Sequence, residues 1–234
     1  MAWHEGPLAA LDLEATGVDT ATARIIEVGL IRTEADRGSE PIVSRLVDPG
    51  VAIPPKILDL TGITEMELAM TGGDPAEVLA ETRSAIARLA EAGIPIVVYN
   101  ATYDWPLLGA ELERHALDPL PGVPPVILID PLVLDRHLAR FRKGKRTLGV
   151  VAAHYGVQLE GAHRADQDAE AAAALARAIA AKFPEVQVGG PELVAYQVAA
   201  HREWRDSFNE YMTRSGRAFD PITEVWPTGQ PASP

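Results

Sequence analysis

The stretch 8–17, Leu-Ala-Ala-Leu-Asp-Leu-Glu-Ala-Thr-Gly, constrains this chain more than any other. An apolar run of this kind, closed by Thr16 and Gly17, reads as a buried strand entering a turn. Side chains alternate faces along a strand, so Asp12 and Glu14 project on the same side. Two ionised acids side by side repel, and burying either is costly unless a cation compensates. The pair points either to a divalent metal or to a strand whose acids sit at its wet end. D-x-E by itself is too common to separate the two.

The flanking sequence places this strand in a sheet. Ile25 to Arg32 and Ile42 to Val47 are further candidate strands, and three strands at hairpin spacing predict an antiparallel meander. Pro49, Pro54 and Pro55 break the chain, and 57–64 reads as a short, turn-terminated segment. Thr64 is placed to cap a short helix. Asp74-Pro75 opens a longer one, capped and with proline at its first position, and Gly93 stops it. Ile94 to Tyr99 is a continuous apolar run, as a buried central strand requires. A helix over 104–116, a short strand at Val126 to Ile129 and helices over 131–141 and 147–154 follow. An alanine-rich helix spans 164–181. Strands first, then helices alternating with strands, predict an α/β sandwich with a mixed sheet.

Beyond Gly189-Gly190-Pro191 the character changes. Residues 192–214 read as one amphipathic helix carrying Val194, Val198, Trp204, Phe208 and Met212. Its apolar stripe needs burying on its own domain, on a partner or on a second copy. The stretch with Pro221, Pro227, Pro231 and Pro234 reads as extended or disordered. The expected division is 1–185 as the main domain and 186–234 as an extension.

Composition excludes several classes. There is no cysteine, hence no disulfide, thiolate zinc site or cysteine nucleophile. No secretory signal or membrane-spanning apolar run is visible, so a cytoplasmic location and no membrane partner are expected. With 33 acidic and 21 basic residues the net charge is −12. That argues against non-specific coating of nucleic acid but leaves room for a pocket in which metal ions supply positive charge. Against this background Arg136, Arg140, Arg142, Lys143, Lys145 and Arg146 cluster in one segment, as a solvated helix end or a phosphate-contacting patch.

Two more groups fall at meaningful places. Asn100-Ala-Thr-Tyr-Asp104 follows the central strand, where ligand sites gather in such sheets. His163-Arg164-Ala165-Asp166-Gln167-Asp168 opens the alanine-rich helix, with Asp168 able to face the sheet and Asp166 turned roughly to the other side. Taken singly, Asp104 and Asp168 are ordinary helix-start acids, and His163 an ordinary surface histidine.

The three motifs in this order resemble the DnaQ-like, or DEDDh, 3′–5′ exonucleases of the ribonuclease H-like fold. Asp12-Leu-Glu14-Ala-Thr16-Gly17 is close to D-x-E-T-T-G, and 163–168 matches H-R-A-x-x-D. Leu60-Thr61-Gly62-Ile63-Thr64 is similar to the family's H-G-I-T segment. Ala15 and Thr61 depart from the family's commoner threonine and histidine. The resemblance covers about residues 6 to 182. It implies a five-stranded mixed sheet flanked by helices, with 186–234 as a C-terminal helical extension.

It also implies a chemistry. Phosphodiester hydrolysis needs an in-line hydroxide and charge neutralisation, which two divalent ions supply, and hard oxygen ligands suit Mg²⁺ or Mn²⁺. Asp12, Glu14, Asp104 and Asp168 are the expected metal carboxylates, with Asp12 bridging. His163 is the expected general base. The resemblance further implies that the backbone at Ala15 and Thr16 contacts the terminal 3′ nucleotide. Ile63 then packs near its base, and Asn100 belongs to the substrate-binding set. The expected substrate is a DNA 3′ end, single-stranded or frayed, and the product nucleoside 5′-monophosphates. An exoribonuclease, or a proofreading or binding subunit of a polymerase or repair complex docking through the C-terminal helix, are the competing readings.

Overall fold

The computed structural model describes residues 2–35, 38–159 and 163–229. Pro231 and Pro234 of the proline-rich tail lie outside the described residues. The sheet is built from β1 (Leu8–Ala15), β2 (Ile25–Glu34), β3 (Gly38–Leu46), β4 (Ile96–Val97) and β5 (Leu128–Ile129). Its order is β3-β2-β1-β4-β5. The first three strands pair antiparallel, and β4 and β5 add parallel to β1. The meander and the mixed sheet expected from the sequence are both present.

β4 is shorter than the apolar run that announced it. Pro95 has no amide hydrogen to give the ladder, and Asn100 turns the chain into the left-handed region with φ 66°. Between β3 and β4 lie α1 (Pro55–Thr61), α2 (Glu65–Thr71) and α3 (Pro75–Glu91). The segment 57–64, expected as short and turn-terminated, lies mostly in α1. It is a helix because Pro55 fits the first helical position and Gly62, at φ 69°, closes it. The caps at Thr64 and Asp74 form as expected, each accepting from the amide three residues on.

Helices cover both faces. Ala9, Leu11 and Leu13 of β1 share one core cluster with Val78, Leu79 and Ile86 of α3 and with Leu107 and Leu108 of α4 (Ala101–Arg114). Leu8 and Ala10 face the other way, onto Ala169, Ala172, Ala173 and Ala176 of α7 (Ala165–Lys182). Small side chains let this helix lie close to the sheet. Asp12 and Glu14 continue the row of Leu8 and Ala10, so period-two geometry aims them at the start of α7.

β5 ends the sheet, and an edge strand exposes unpaired backbone groups. The chain after α5 (Pro131–Leu138) and α6 (Leu148–His154) solves this with one side chain on α8 (Gly190–Ser215). The Gln197 amide donates to the Leu128 carbonyl at 2.9 Å and accepts from the Asp130 amide at 2.6 Å, as a neighbouring strand would. Leu193, Gln197, Ala200 and His201 are buried. Residues 217–229, after α8, dock back on the domain. Trp226 is buried, and its indole N–H donates to Asp130 at 3.1 Å. No helix among the described residues is long and apolar enough to cross a membrane.

Candidate active site

Four acids from three separate elements meet at the carboxyl end of β1. Asp12 and Glu14 come from β1, Asp104 from the first turn of α4 and Asp168 from the first turn of α7. They line one cleft of about 410 Å³, together with Tyr99, Asn100, Tyr103, Arg136 and Arg146. The Asp104 carboxylate is fixed against the strand, accepting from the Leu13 amide at 3.1 Å. One ligand atom each of Glu14, His163 and Asp168 lies within 4.8 Å of the others. His163 is exposed and adopts φ 72°, and its amide donates to Asp168 at 3.3 Å.

The electrostatics are unfavourable for the protein alone. Burial first, then the charges of Asp104, Asp168, Glu14 and Glu27, push the Asp12 carboxyl well above the usual range. Burial does the same to Asp104 and raises Asp168. Burial, Asp168 and Glu27 lift Glu14 to about 7. Oδ1 of Asp168 is buried and has no hydrogen-bond partner among the described residues. Buried polar atoms are nearly always satisfied, and an oxygen placed in this way suits coordination to a cation. Hard oxygens with one imidazole, crowded against their own repulsion, suit a divalent cation.

The remaining sequence candidates divide between the cleft and its surroundings. Asn100 lines the cleft. The Thr16 amide already donates to the Arg24 carbonyl at 2.9 Å, and Thr16 Oγ1 accepts from the Arg24 amide, so this amide carries no free hydrogen for a nucleotide. Ala15 and Ile63 are buried, Ile63 in a small cluster with Ile26, Ile53 and Leu68. The basic segment is partly structural: Arg142 and Arg146 both pair with the buried Asp135 carboxylate.

Sequence reading missed the groups that position the site. Glu27, on β2 opposite Glu14, is buried. It takes three hydrogen bonds from Arg164, the shortest at 2.8 Å, and one from the Ala165 amide at 3.1 Å. It therefore ties the start of α7, and with it His163 and Asp168, to the sheet. The available signal was a lone charge inside the apolar run Ile25 to Ile31, which must have a partner. Gly29 pairs with Asp12 across the strands, and the Ala165 backbone rests where its Cβ would be. Asp130 is buried and accepts from the Asn100 and Ala101 amides, which shapes the turn into α4.

Glu27→Gln should loosen Arg164 without emptying the space. Groups that support metal ligands typically change affinity or activity by about 10–100-fold. Activity should fall in that range, and the Mn²⁺ concentration for half-maximal rate should rise. An unchanged Mn²⁺ dependence would show that the clamp does not position the site.

Fold and site together define a nuclease of the ribonuclease H-like class. The sequence model of the RNase_T exonuclease family matches residues 9–176, and the chain belongs to that family, the DnaQ-like 3′–5′ exonucleases. Among curated relatives it is 32% identical to the PolC-type DNA polymerase III of Clostridium perfringens, over 69% of this chain. It spans only 10% of that polymerase's length. Among solved structures it is similar to E. coli exonuclease I in complex with a dA16 oligonucleotide, with TM-score 0.66 and 21% identity. That match covers 78% of this chain and 42% of the other. A zinc-bound form of that exonuclease with single-stranded DNA matches with TM-score 0.65 at 22% identity, over the same shares of the two chains. Exonucleases of this family use divalent metal ions.

Proposed function

We propose that the protein removes nucleotides one at a time from the 3′ end of single-stranded or frayed DNA. It releases nucleoside 5′-monophosphates, with two Mg²⁺ or Mn²⁺ ions as cofactors. The observation that carries this reading is the meeting of four buried or half-buried acids from β1, α4 and α7, one with an orphaned oxygen. Asp12, Glu14, Asp104 and Asp168 would hold the ions. Bound there, divalent ions lower the pKa of water and neutralise charge on the phosphoryl group.

The chain's own residues supply the rest. His163 is exposed beside Asp168 and takes the proton of the attacking water as general base. Its ring shuttles that proton to solvent. Asn100, at the mouth of the cleft, contacts the terminal nucleotide. Residues 1–185 carry the chemistry, and 186–234 serve the strand that is being shortened. The PolC-type relatives are polymerases, so a polymerase partner for this chain is part of the same proposal.

A 5′-labelled single-stranded DNA oligonucleotide with Mg²⁺ or Mn²⁺, and a matched RNA beside it, tests the reading. Wild type should produce a ladder that shortens from the 3′ end and stops in EDTA. Asp12→Ala should abolish the ladder, and His163→Ala should slow it by roughly 10²–10⁴-fold, the usual contribution of a general base. Faster loss of the RNA would make the protein an exoribonuclease. No cleavage of either polymer by folded, metal-loaded protein would overturn the proposal.

A further inference from the structure

We propose that the cleft between α5 and α8 is a second nucleic-acid subsite, which holds the single strand upstream of the nucleotide being removed. The inference rests on the nuclease reading above, and one wall of the cleft, α8, lies outside the family match, which ends at 176.

The cleft measures about 460 Å³. Its basic lining is Arg136, His137, Arg140, Arg142, Arg146 and Arg214, with Glu203 as its acid. In a chain of net charge −12 that concentration is exceptional. Arg136 and Arg146 also line the carboxylate cleft, so the two clefts are neighbours that share these side chains.

α8 accounts for the shape. One stripe of this helix runs through Leu193, Gln197, Ala200, Trp204, Phe208 and Tyr211, at helical spacing. Its first half is buried in the domain. Its second half faces α5, where an ordinary core would continue with leucines. Here it meets arginines. The Arg136 guanidinium lies 3.7 Å from the centre of the Trp204 ring. Trp204 and Phe208 stack with centroids 5.9 Å apart. Arg140 reaches Glu203 at 2.9 Å and is half-exposed, and Tyr211 is 53% exposed. Arginines cannot close such a seam without burying charge, so the cleft stays open and cationic. Cationic side chains that track phosphates, interleaved with rings on which bases stack, are what binds single-stranded nucleic acid without sequence preference. At 1.5 Å per residue, 203–214 spans about 17 Å, room for roughly three to five nucleotides.

The test uses the full chain and a triple variant at exposed positions, Arg140→Gln, Tyr211→Ala and Arg214→Gln. Two substrates are compared: dT15, and the p-nitrophenyl ester of thymidine 5′-monophosphate, which occupies only the carboxylate cleft. The variant should hydrolyse the ester as wild type does. Its KM for dT15 should rise about tenfold, the effect of losing one stacked base and two phosphate contacts. Binding of fluorescein-labelled dT15 in EDTA, followed by anisotropy, should lose about one unit of salt slope. Unchanged KM and unchanged salt slope would overturn the subsite. A wild type inert on the ester would instead strike the nuclease reading, and the EDTA titration would still decide the subsite.

Discussion

Replacing Asp12 with asparagine is expected to lower hydrolysis of a DNA 3′ end by roughly a thousandfold, on the scale of losing a central electrostatic group. The same change should raise the melting temperature of the metal-free protein. Asp12 is buried beside Asp104, Asp168 and Glu14, all of its own sign. Asparagine keeps the shape and removes the charge. The pH dependence has a definite sign. A carboxyl raised above its unfolded value stabilises the fold while it is protonated, and that contribution is lost as the pH rises through the folded value. Glu14 sets the window, because it moves from 4.5 to about 7. Metal-free wild type should therefore lose stability between about pH 4.5 and 7, and Glu14→Gln should flatten that slope. Mn²⁺ should restore the wild type more at pH 8 than at pH 5, since its ligands must be deprotonated. Thermal melts of the wild type and both variants, in EDTA and in Mn²⁺ across this range, measure all of it. If Asp12→Asn melts below wild type at pH 8 in EDTA, the acids are satisfied by the protein itself and the metal reading fails.

Gly29→Ala is expected to damage stability and activity together. A Cβ at Gly29 would lie 2.3 Å from the Ala165 carbonyl carbon and 2.5 Å from its oxygen and from the Asp166 amide. These are backbone atoms, so no side chain can swing aside. The first turn of α7 must lift, and it carries Asp168 and the His163 bond. Overpacking of this kind typically costs about 1–3 kcal/mol. A shift of about 1 Å at a reacting centre can cost about 10²-fold in rate. Gly109→Ala is the control: it lies within α4, and its Cβ would find only Leu120 at 4.0 Å. It should stabilise by about 0.5–1 kcal/mol, as a helix gains on losing an interior glycine. Urea unfolding and kcat separate the two outcomes. Gly29→Ala with wild-type kcat would mean that the helix start does not set the site.

The site was legible where chemistry forces a residue type. Acids at period two on a strand, an acid after the central strand and H-x-x-x-x-D at a helix start are local patterns, and the fold brings their four acids to one cleft, with His163 near Glu14 and Asp168. The helix caps at Thr64 and Asp74 were legible for the same reason, since each is satisfied within three residues. Trp226 was not. It reads as part of a proline-rich tail, yet it is buried against Asp130, far away in the sequence.

What the amino-acid sequence determined by itself was the strand that carries Asp12 and Glu14, the α/β alternation and the set of acids. Periodicity and local hydrogen bonding decide these. Only the tertiary structure decided how Glu27 and Gly29 seat α7, how Gln197 closes the sheet edge, and that Arg142 and Arg146 serve Asp135 while Arg140 and Arg214 stay exposed. These depend on which surfaces meet, and contacts between distant residues leave no periodic trace in the chain.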